Sequence, residues 1–189
     1  MQDVFPSDEQ IKNAILKINE KNHTNADPNF FATYSKQIIS SNTNRSNEKI
    51  YILAKPFSAT IIYYGFRQNG EPIGWTKFST NCNSFTNHRA EISYCIYDEY
   101  QGLGFGTLLT EESIKDFMES QPLNNKWSYT GQQLSIDSIE ANINLDNLGS
   151  QALINKNGFV LESTYPDAKN YILTREMYFS RLNNNEQIM

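Results

Sequence analysis

The stretch Gln101-Gly102-Leu103-Gly104-Phe105-Gly106-Thr107 decides the fold of this 189-residue chain. A strand-like run, 90–97, precedes it, and residues 108–118, which hold neither proline nor glycine, follow it as a predicted helix. A helix start leaves backbone N–H groups without intrahelical partners and carries partial positive charge. Glycines there let an anion reach the main chain, so the pattern predicts a phosphate-binding loop. The alternative is a tight connection in which glycine only relieves backbone strain.

Two familiar nucleotide-binding patterns do not fit this loop. A dinucleotide fingerprint requires G-x-G-x-x-G, and counting from Gly102 the third position holds Thr107. A P-loop requires Gly-Lys-Ser/Thr, and the loop holds no lysine. The spacing therefore excludes both patterns.

What remains is Gln-x-x-Gly-x-Gly, met by Gln101, Gly104 and Gly106 after a strand that contains Ala-Glu-Ile-x-Tyr-Cys. This motif resembles the acetyl-CoA loop of the GNAT superfamily of N-acetyltransferases. Downstream, Asn-x-x-Ser at 147–150 and Lys-x-Gly-Phe at 156–159 resemble a second segment of that superfamily. The second segment is closest to the branch that acetylates protein N-termini and ribosomal proteins.

The resemblance implies a fold, a co-substrate and a set of binding residues. The fold is α/β of the α+β type, with a mixed, mainly antiparallel sheet splayed at a central strand and flanked by helices. The co-substrate is acetyl-CoA, without a metal, and the acceptor is an amine of a protein N-terminus, a lysine or a small molecule. The residues expected at acetyl-CoA are Cys95, Ile96, Tyr97, Gln101, Gly102, Leu103, Gly104, Phe105, Gly106, Thr107, Asn147 and Ser150.

Glu91 is the candidate general base. Side chains alternate along a strand, so Glu91 lies on the face opposite Ala90 and Ile92, at the far end of the strand from the loop. It also matches the catalytic glutamate of a similar strand in histone-modifying GNAT enzymes. The alternative is an ordinary glutamate that faces solvent at a strand end.

The proton donor for the leaving thiolate departs from the family pattern. Many GNAT members carry a tyrosine five residues before the phenylalanine of Gly-Phe, and this chain has Ile154 there. The N-terminal-acetylating branch implies Ser150 as the substitute, and the alternative is a serine on a helix surface. The missing tyrosine keeps open a second hypothesis, a non-catalytic acyl-CoA-binding or sensory module.

Composition narrows the class of partner. A net charge of −5 and a pI near 5.1 argue against nucleic acid and suit a cationic acceptor, although acidic proteins are common. The two cysteines, the lack of an apolar signal segment and the lack of a membrane-length apolar run predict a cytoplasmic protein that does not bind membranes. His23 and His88 do not form a metal-binding set with the cysteines. We expect a monomer or a homodimer.

The chain is expected to form a single domain, 1–189, with a helical N-terminal segment, 1–48, and a frayed tail, 183–189. Ser7 and Gln10 form a capping box before an amphipathic helix, and Asp27-Pro28 begins a second helix that extends to Ile39. Strands follow from Ile50, with a hairpin turn at Asn69-Gly70. The aromatic residues Tyr63, Tyr64, Trp75 and Phe78 are groove candidates or core residues.

The C-terminal third is expected to alternate strand and helix. A strand is predicted over 136–143 and a helix from a cap at Asp146 to Ile154, ended by Gly158 in the left-handed conformation. A last antiparallel pair is predicted from 159–163 and 170–179.

Overall fold

The computed structural model of the chain describes residues 7–22, 36–39, 48–57, 60–80, 89–120 and 136–186. These residues divide into two compact units. Unit 1 comprises the described residues from Ser7 to Lys77 and from Tyr94 to Ser113, and unit 2 comprises those of 78–93 and 114–186. The expected single domain stays a prediction.

The described residues form helices and strands in a mixed order. The helices are α1 (Asp8–Asn22), α2 (Phe105–Ser120), α3 (Leu148–Lys156) and α4 (Arg175–Glu186), with a short 3-10 turn at Asp98–Tyr100. The strands are β1 (Lys36–Ile39), β2 (Tyr51–Phe57), β3 (Thr60–Phe66), β4 (Pro72–Thr80), β5 (Arg89–Ile96), β6 (Ser138–Asn144), β7 (Val160–Thr164) and β8 (Ala168–Thr174).

Unit 1 is built on α1 and the strand order β1-β2-β3-β4-β5. The predicted capping box is confirmed, because the Ser7 N–H donates to Gln10 Oε1 (2.8 Å) and the Gln10 N–H donates to Ser7 Oγ (3.3 Å). The apolar face of α1 packs on the sheet in a core of Ile11, Ala14, Ile15, Ile18, Tyr51, Leu53, Tyr64, Phe66 and Tyr97. The strands β1, β2 and β3 pair antiparallel, as expected for this sheet.

The hairpin between β3 and β4 turns at Asn69-Gly70, as predicted. The Arg67 N–H donates to the Glu71 carbonyl (2.8 Å), and the Gly70 N–H donates to the Arg67 carbonyl (2.9 Å). Gly70 has a φ of 84°, which favours glycine at this position. The Gln10 side chain donates to the Asn69 carbonyl (3.1 Å), so the turn is also tied to α1.

Unit 2 has the strand order β5-β6-β8-β7. The strand β6 pairs antiparallel with β8 over seven residue pairs, whereas its parallel ladder with β5 holds only three, Arg89–Glu91 with Ser138–Glu140. Within the described residues of unit 2, β5 therefore leaves β6 after Glu91. This fork confirms the prediction of a mixed, mainly antiparallel sheet that is splayed at the strand carrying Glu91.

The aromatic residues proposed for a groove belong mostly to the core. Tyr63 and Phe78 are fully buried, and Tyr64 is 9% exposed. Trp75 is partly buried and packs against the core under α1. In unit 2, Phe78 stacks on Phe117 with ring centroids 4.2 Å apart. These contacts support the core interpretation.

Three predicted boundaries are wrong. Residues 36–39, placed in a second helix, form β1, because Lys36 to Ile39 pair with β2; the start of that helix lies outside the described residues. The strand predicted to reach Phe179 ends at Thr174, whose hydroxyl accepts from the Met177 N–H (3.2 Å) and caps α4. The tail expected to fray from 183 continues as helix to Glu186.

The helix α3 begins one residue later than predicted. Its cap is Asn147 rather than Asp146, since the Asn147 side chain accepts from the Ser150 N–H (3.0 Å). The helix ends as predicted at Gly158, which has a φ of 88°. No helix among the described residues is long and apolar enough to cross a membrane.

Candidate acetyl-CoA and acceptor sites

The glycine loop of unit 1 connects the end of β5 to α2. After the 3-10 turn at Asp98–Tyr100, residues 101–104 form a turn and α2 begins at Phe105. Gly102 and Gly104 have φ values of 74° and 89°, a region that side chains disfavour. Gly106 differs from these two, because the constraint there is space: a Cβ would lie 3.0 Å from Ile96 Cγ1, so the Ile96 side chain would have to shift. The sequence thus folds into the predicted strand, loop and helix.

The main chain of this loop offers a row of free hydrogen-bond donors. Among the described residues, no acceptor meets the N–H groups of Leu103, Gly104, Phe105, Gly106 and Thr107. The first internal bond of α2 is made by the Leu108 N–H, which donates to the Gly104 carbonyl (3.1 Å). Five donors at the positive end of a helix dipole form a concentrated site for an anion.

Gln101 holds the loop in place. Its side-chain amide donates to the Ile96 carbonyl (3.0 Å) at the end of β5 and to Asp98 Oδ1 (3.0 Å). These two bonds give a structural reason for glutamine at the first motif position. Gln101 is therefore a positioning residue for the donors that follow it.

The end of β5 is held tightly in unit 1. The Tyr97 N–H donates to the Ile73 carbonyl (3.1 Å), and the Tyr97 side chain is buried in the core under α1. A Cβ at Gly74 would lie 2.1 Å from the Cys95 carbonyl oxygen, so the two strands approach each other closely here. Cys95 is partly buried against the same core, which favours its interpretation as a small hydrophobe. Cys95 and Tyr97 lie at the same alternate positions of the strand as Glu91, yet both pack against the core under α1. The polar face that begins at Glu91 therefore does not continue to Cys95.

In unit 2, Glu91 lies at the fork of β5 and β6. Its side chain is exposed, and it has no hydrogen bond or ion pair with a described residue. Its register partner on the parallel strand is Glu140, so the two carboxylates leave the sheet side by side on one face. They occupy the last paired position before the strands part.

Further polar side chains gather around these two carboxylates. Arg89 donates twice to Glu162, from Nη1 to Oε2 (2.8 Å) and from Nη2 to Oε1 (2.9 Å), and its Nη1 lies 3.6 Å from Glu140 Oε2. Asn170 Nδ2 donates to Glu162 Oε2 (3.0 Å). The hydrogen bond to Glu162 is the main cause that raises the pKa of Arg89, against the opposing effect of burial. We call Arg89, Glu91, Glu140, Glu162 and Asn170 the carboxylate face.

Of the carboxylate face, only Glu91 is predicted as a site residue from the sequence. Its five members lie on four strands, β5, β6, β7 and β8, and 81 positions separate Arg89 from Asn170 along the chain. Only the strand registers bring them together. To find them from the sequence, one would have to predict how β5, β6, β8 and β7 pair.

The second motif of the sequence lies at the start of α3. Asn147 caps this helix, so its side-chain oxygen accepts from the Ser150 N–H, and its amide N–H₂ has no acceptor among the described residues. Ser150 is partly buried in the first turn. Ile154, at the position of the family's tyrosine, is fully buried. Glu91, Asn147 and Ser150 all belong to unit 2, and the glycine loop belongs to unit 1.

No metal centre emerges from the described residues. They hold no group of three or more histidine, cysteine, aspartate or glutamate side chains with the geometry to bind a metal ion. His23 and His88 lie outside the described ranges.

Residues 14–160 match the sequence profile of the acetyltransferase (GNAT) domain. No curated protein matches the chain. Similar solved structures include a SpeG spermidine N-acetyltransferase variant from Vibrio cholerae, with a TM-score of 0.52, 18% identity and coverage of 66% of this chain and 69% of that one. A second is a chimera of that enzyme and hSSAT, with a TM-score of 0.51, 19% identity and coverage of 65% and 71%.

The same Vibrio cholerae enzyme in complex with CoA and spermine has a TM-score of 0.50 to this chain, at 19% identity and with coverage of 64% and 69%. At this identity the likeness supports the fold, while the domain match spans most of the chain. The chain therefore belongs to the GNAT acetyltransferases and is an acetyl-CoA-dependent acyltransferase.

Proposed function

We propose that this enzyme transfers the acetyl group of acetyl-CoA to an amine by direct attack of the amine on the thioester. The observation that carries the proposal is the row of five loop N–H groups, 103–107, that have no acceptor among the described residues. An acetyl-CoA diphosphate supplies the acceptors that these donors lack. The residues of the loop fit this ligand because the site is made of main-chain donors and glycines, with no acidic side chain from Gln101 to Thr107.

We assign Glu91 the role of general base. An alkyl amine with a pKa near ~10.4 is almost wholly protonated at pH 7, and deprotonating it costs about 4–5 kcal/mol. Deprotonating an α-amine, with a pKa of ~7.7–8, costs only about 1–1.5 kcal/mol at pH 7. A base therefore matters more for the alkyl amine. Glu91 is exposed and unpaired among the described residues, so its carboxylate is free to accept this proton.

The transfer step balances with a base and a proton donor. Glu91 first takes the proton of the ammonium group and passes it to water, which leaves a neutral amine. The amine nitrogen then forms a bond to the acetyl carbon, the bond from that carbon to sulfur breaks, and the nitrogen gives its next proton to Glu91. The departing thiolate of CoA then takes a proton. Ile154 carries no proton to give, so we assign this role to Ser150 of α3, as its motif implies.

The acceptor is an amine of a protein N-terminus, a lysine or a small molecule. The Asn147 and Ser150 motif favours the branch that acetylates ribosomal-protein N-termini. Monomer or homodimer remains our prediction for the oligomeric state. The competing function is a non-catalytic acyl-CoA-binding module, favoured by the buried Ile154 at the tyrosine position.

Release of free thiol from acetyl-CoA tests the proposal. The assay uses the purified chain with N-terminal peptides, lysine peptides, aliphatic amines and aminoglycosides. We expect thiol release that depends on one class of amine and that falls in Glu91→Gln. Tight acetyl-CoA binding in calorimetry with no thiol release on any amine would establish the binding module instead.

A further inference from the structure

Tyr100, the residue before the glycine loop, is tied to the hairpin between β3 and β4 within unit 1. Its hydroxyl donates to Glu71 Oε2 (3.3 Å), directly after the Asn69-Gly70 turn. Burial, and next the charge of Glu71, raise the pKa of Tyr100, so this hydroxyl keeps its proton at neutral pH. One side chain thus connects the start of the glycine loop to a hairpin residue 29 positions earlier in the chain.

The carboxylate that accepts from Tyr100 is itself held in place. Arg67 Nη1 donates to the same oxygen of Glu71 (3.2 Å), while Arg67 Nε and Nη2 donate to the two oxygens of Glu48 (3.0 and 3.2 Å). The Glu71 N–H donates to Asn69 Oδ1 (3.1 Å), and the guanidinium carbon of Arg67 lies 6.0 Å from the centroid of the Tyr100 ring. A fixed acceptor restricts the donor to one position. We call Glu48, Arg67, Glu71 and Tyr100 the hairpin anchor.

Tyr100 also contacts the far end of the glycine loop. Its ring meets that of Phe105 edge to face, with ring centroids 6.0 Å apart and ring planes at 85°. Phe105 is buried at the first position of α2, so the two aromatic side chains bracket residues 101–104. Two of these four residues are glycines at positive φ, whose backbone is free to adopt many other conformations. The hairpin anchor therefore supplies a restraint that the loop's own residues lack.

We propose that Tyr100 and Glu71 are positioning residues for acetyl-CoA, because their hydrogen bond holds the glycine loop in the conformation that presents its N–H groups to the diphosphate. The inference rests on the proposed function and adds two residues to its binding site. Ordering a flexible loop when a ligand binds costs conformational entropy, and a loop that is already ordered avoids this cost. Loss of the bond should therefore weaken CoA, although the loop keeps all of its main-chain donors.

The test measures CoA affinity by calorimetry in five chains: the wild type, Tyr100→Phe, Glu71→Leu, the double variant of these two, and Glu71→Gln. Glu71→Leu and Glu71→Gln remove the same charge, but only glutamine keeps a side-chain oxygen that accepts from the Tyr100 hydroxyl. Tyr178→Phe is the matched control, because the Tyr178 hydroxyl donates to Glu119 Oε1 (3.1 Å) in unit 2. It removes the same kind of bond outside the hairpin anchor.

We expect CoA affinity to fall roughly 5-fold in Tyr100→Phe relative to the wild type, and by the same factor in Glu71→Leu relative to Glu71→Gln. The double variant should lose no more than Glu71→Leu, because both changes remove one bond. Glu71→Gln and Tyr178→Phe should stay within about twofold of the wild type. In CoA-free Tyr100→Phe, ¹⁵N relaxation should show more motion of the amides of 103–107 than in the wild type. Lower stability alone does not produce these changes, since a chain that is ~99% folded loses only about 1% of its apparent affinity.

Wild-type CoA affinity in both Tyr100→Phe and Glu71→Leu overturns the inference, even if both variants melt at a lower temperature. Losses that add up in the double variant also overturn it, because the two side chains then act separately. So does a loss in Tyr178→Phe as large as that in Tyr100→Phe. A wild-type chain that binds no CoA overturns the diphosphate site together with this inference, whereas CoA binding without thiol release on any amine refutes only the proposed transfer.

Discussion

The glycine loop of unit 1 and the carboxylate face of unit 2 are built in opposite ways. The loop is seven consecutive residues, 101–107, that present main-chain N–H groups, and within the described part of the chain the Gln101 side chain makes two hydrogen bonds. The face is five side chains on four strands, fixed by strand register and by the two bonds of Arg89 to Glu162. Main-chain chemistry depends on local conformation, whereas side-chain chemistry depends on the whole sheet. The glycine loop can therefore be predicted from the sequence, whereas the carboxylate face cannot.

Removing the charge of Glu91 has the largest expected effect. Glu91→Gln should lower kcat on an alkyl amine at pH 7 roughly 1000-fold, within the range for loss of a general base, and should leave acetyl-CoA affinity nearly unchanged. The difference follows from the proposal that the loop of unit 1, and not this side chain, binds the diphosphate. Thiol release gives kcat, and calorimetry gives the affinity.

Two outcomes separate the roles of Glu91. A smaller loss on an α-amine acceptor than on an alkyl amine fits a base, because the α-amine costs less to deprotonate. Equal loss of kcat and acetyl-CoA affinity contradicts that role and makes Glu91 a structural residue. Glu176→Gln, at an exposed glutamate of α4 in unit 2, removes one negative charge and is the control for net charge.

A negative charge added to the loop, without a change in its backbone conformation, has the next largest expected effect, a loss of acetyl-CoA affinity. Gly104 has a φ of 89°, and both asparagine and aspartate tolerate this region better than other side chains. Gly104→Asp should weaken acetyl-CoA roughly 100-fold more than Gly104→Asn, because only aspartate places a negative charge beside the diphosphate. Calorimetry of both variants measures the difference. Equal affinities of the two variants would show that no anion binds at this helix start.

High pH should weaken the core that supports the loop. Burial, and to a smaller degree Tyr97, raise the pKa of Tyr64 to about 12 from an ordinary value of 10. The neutral phenol is therefore favoured by folding, so its contribution is complete below pH 10 and is lost as the pH rises through 12. Urea unfolding should show a loss of about 2 kcal/mol over this interval in the wild type, beyond that in Tyr64→Phe. Equal losses in the two proteins would contradict the assignment to Tyr64.

The bond between Arg89 and Glu162 has the smallest expected effect. Both side chains are about one third exposed, so solvent screens their attraction, although the two-bond geometry is favourable. A double-mutant cycle with Arg89→Met and Glu162→Gln should give a coupling energy of about 1 kcal/mol in urea unfolding. A coupling near zero would mean that strand register alone holds the carboxylate face.

The parts of the fold that the sequence predicts correctly depend on local chemistry. The capping box of Ser7 and Gln10, the Asn69-Gly70 turn and the Gly158 helix end each follow from a few neighbouring residues. The glycine loop belongs to this class. The strand-like run 90–97, the three glycines and the segment 108–118 without proline or glycine predict its strand, turn and helix.

The wrong predictions have tertiary causes. The spacing of apolar residues up to Ile39 is compatible with a helix. Residues 36–39 nevertheless pair with β2, and this pairing overrides the helical pattern. Arg175 to Phe179 look like a strand, yet the Thr174 hydroxyl caps a helix there. Asn170 gives no signal in the sequence, because its burial and its bond to Glu162 exist only once β6, β8 and β7 have paired.

The central claim is that a diphosphate binds to the main chain of the glycine loop. The most direct test is a titration of the ¹⁵N-labelled chain with CoA and, separately, with pantetheine, which lacks the diphosphate. We predict that CoA shifts the amide resonances of 103–107 more than any others in the loop and in α2, and that pantetheine leaves them in place. Resonances at 103–107 that stay unchanged at saturating CoA, or that move equally with pantetheine, would contradict the claim.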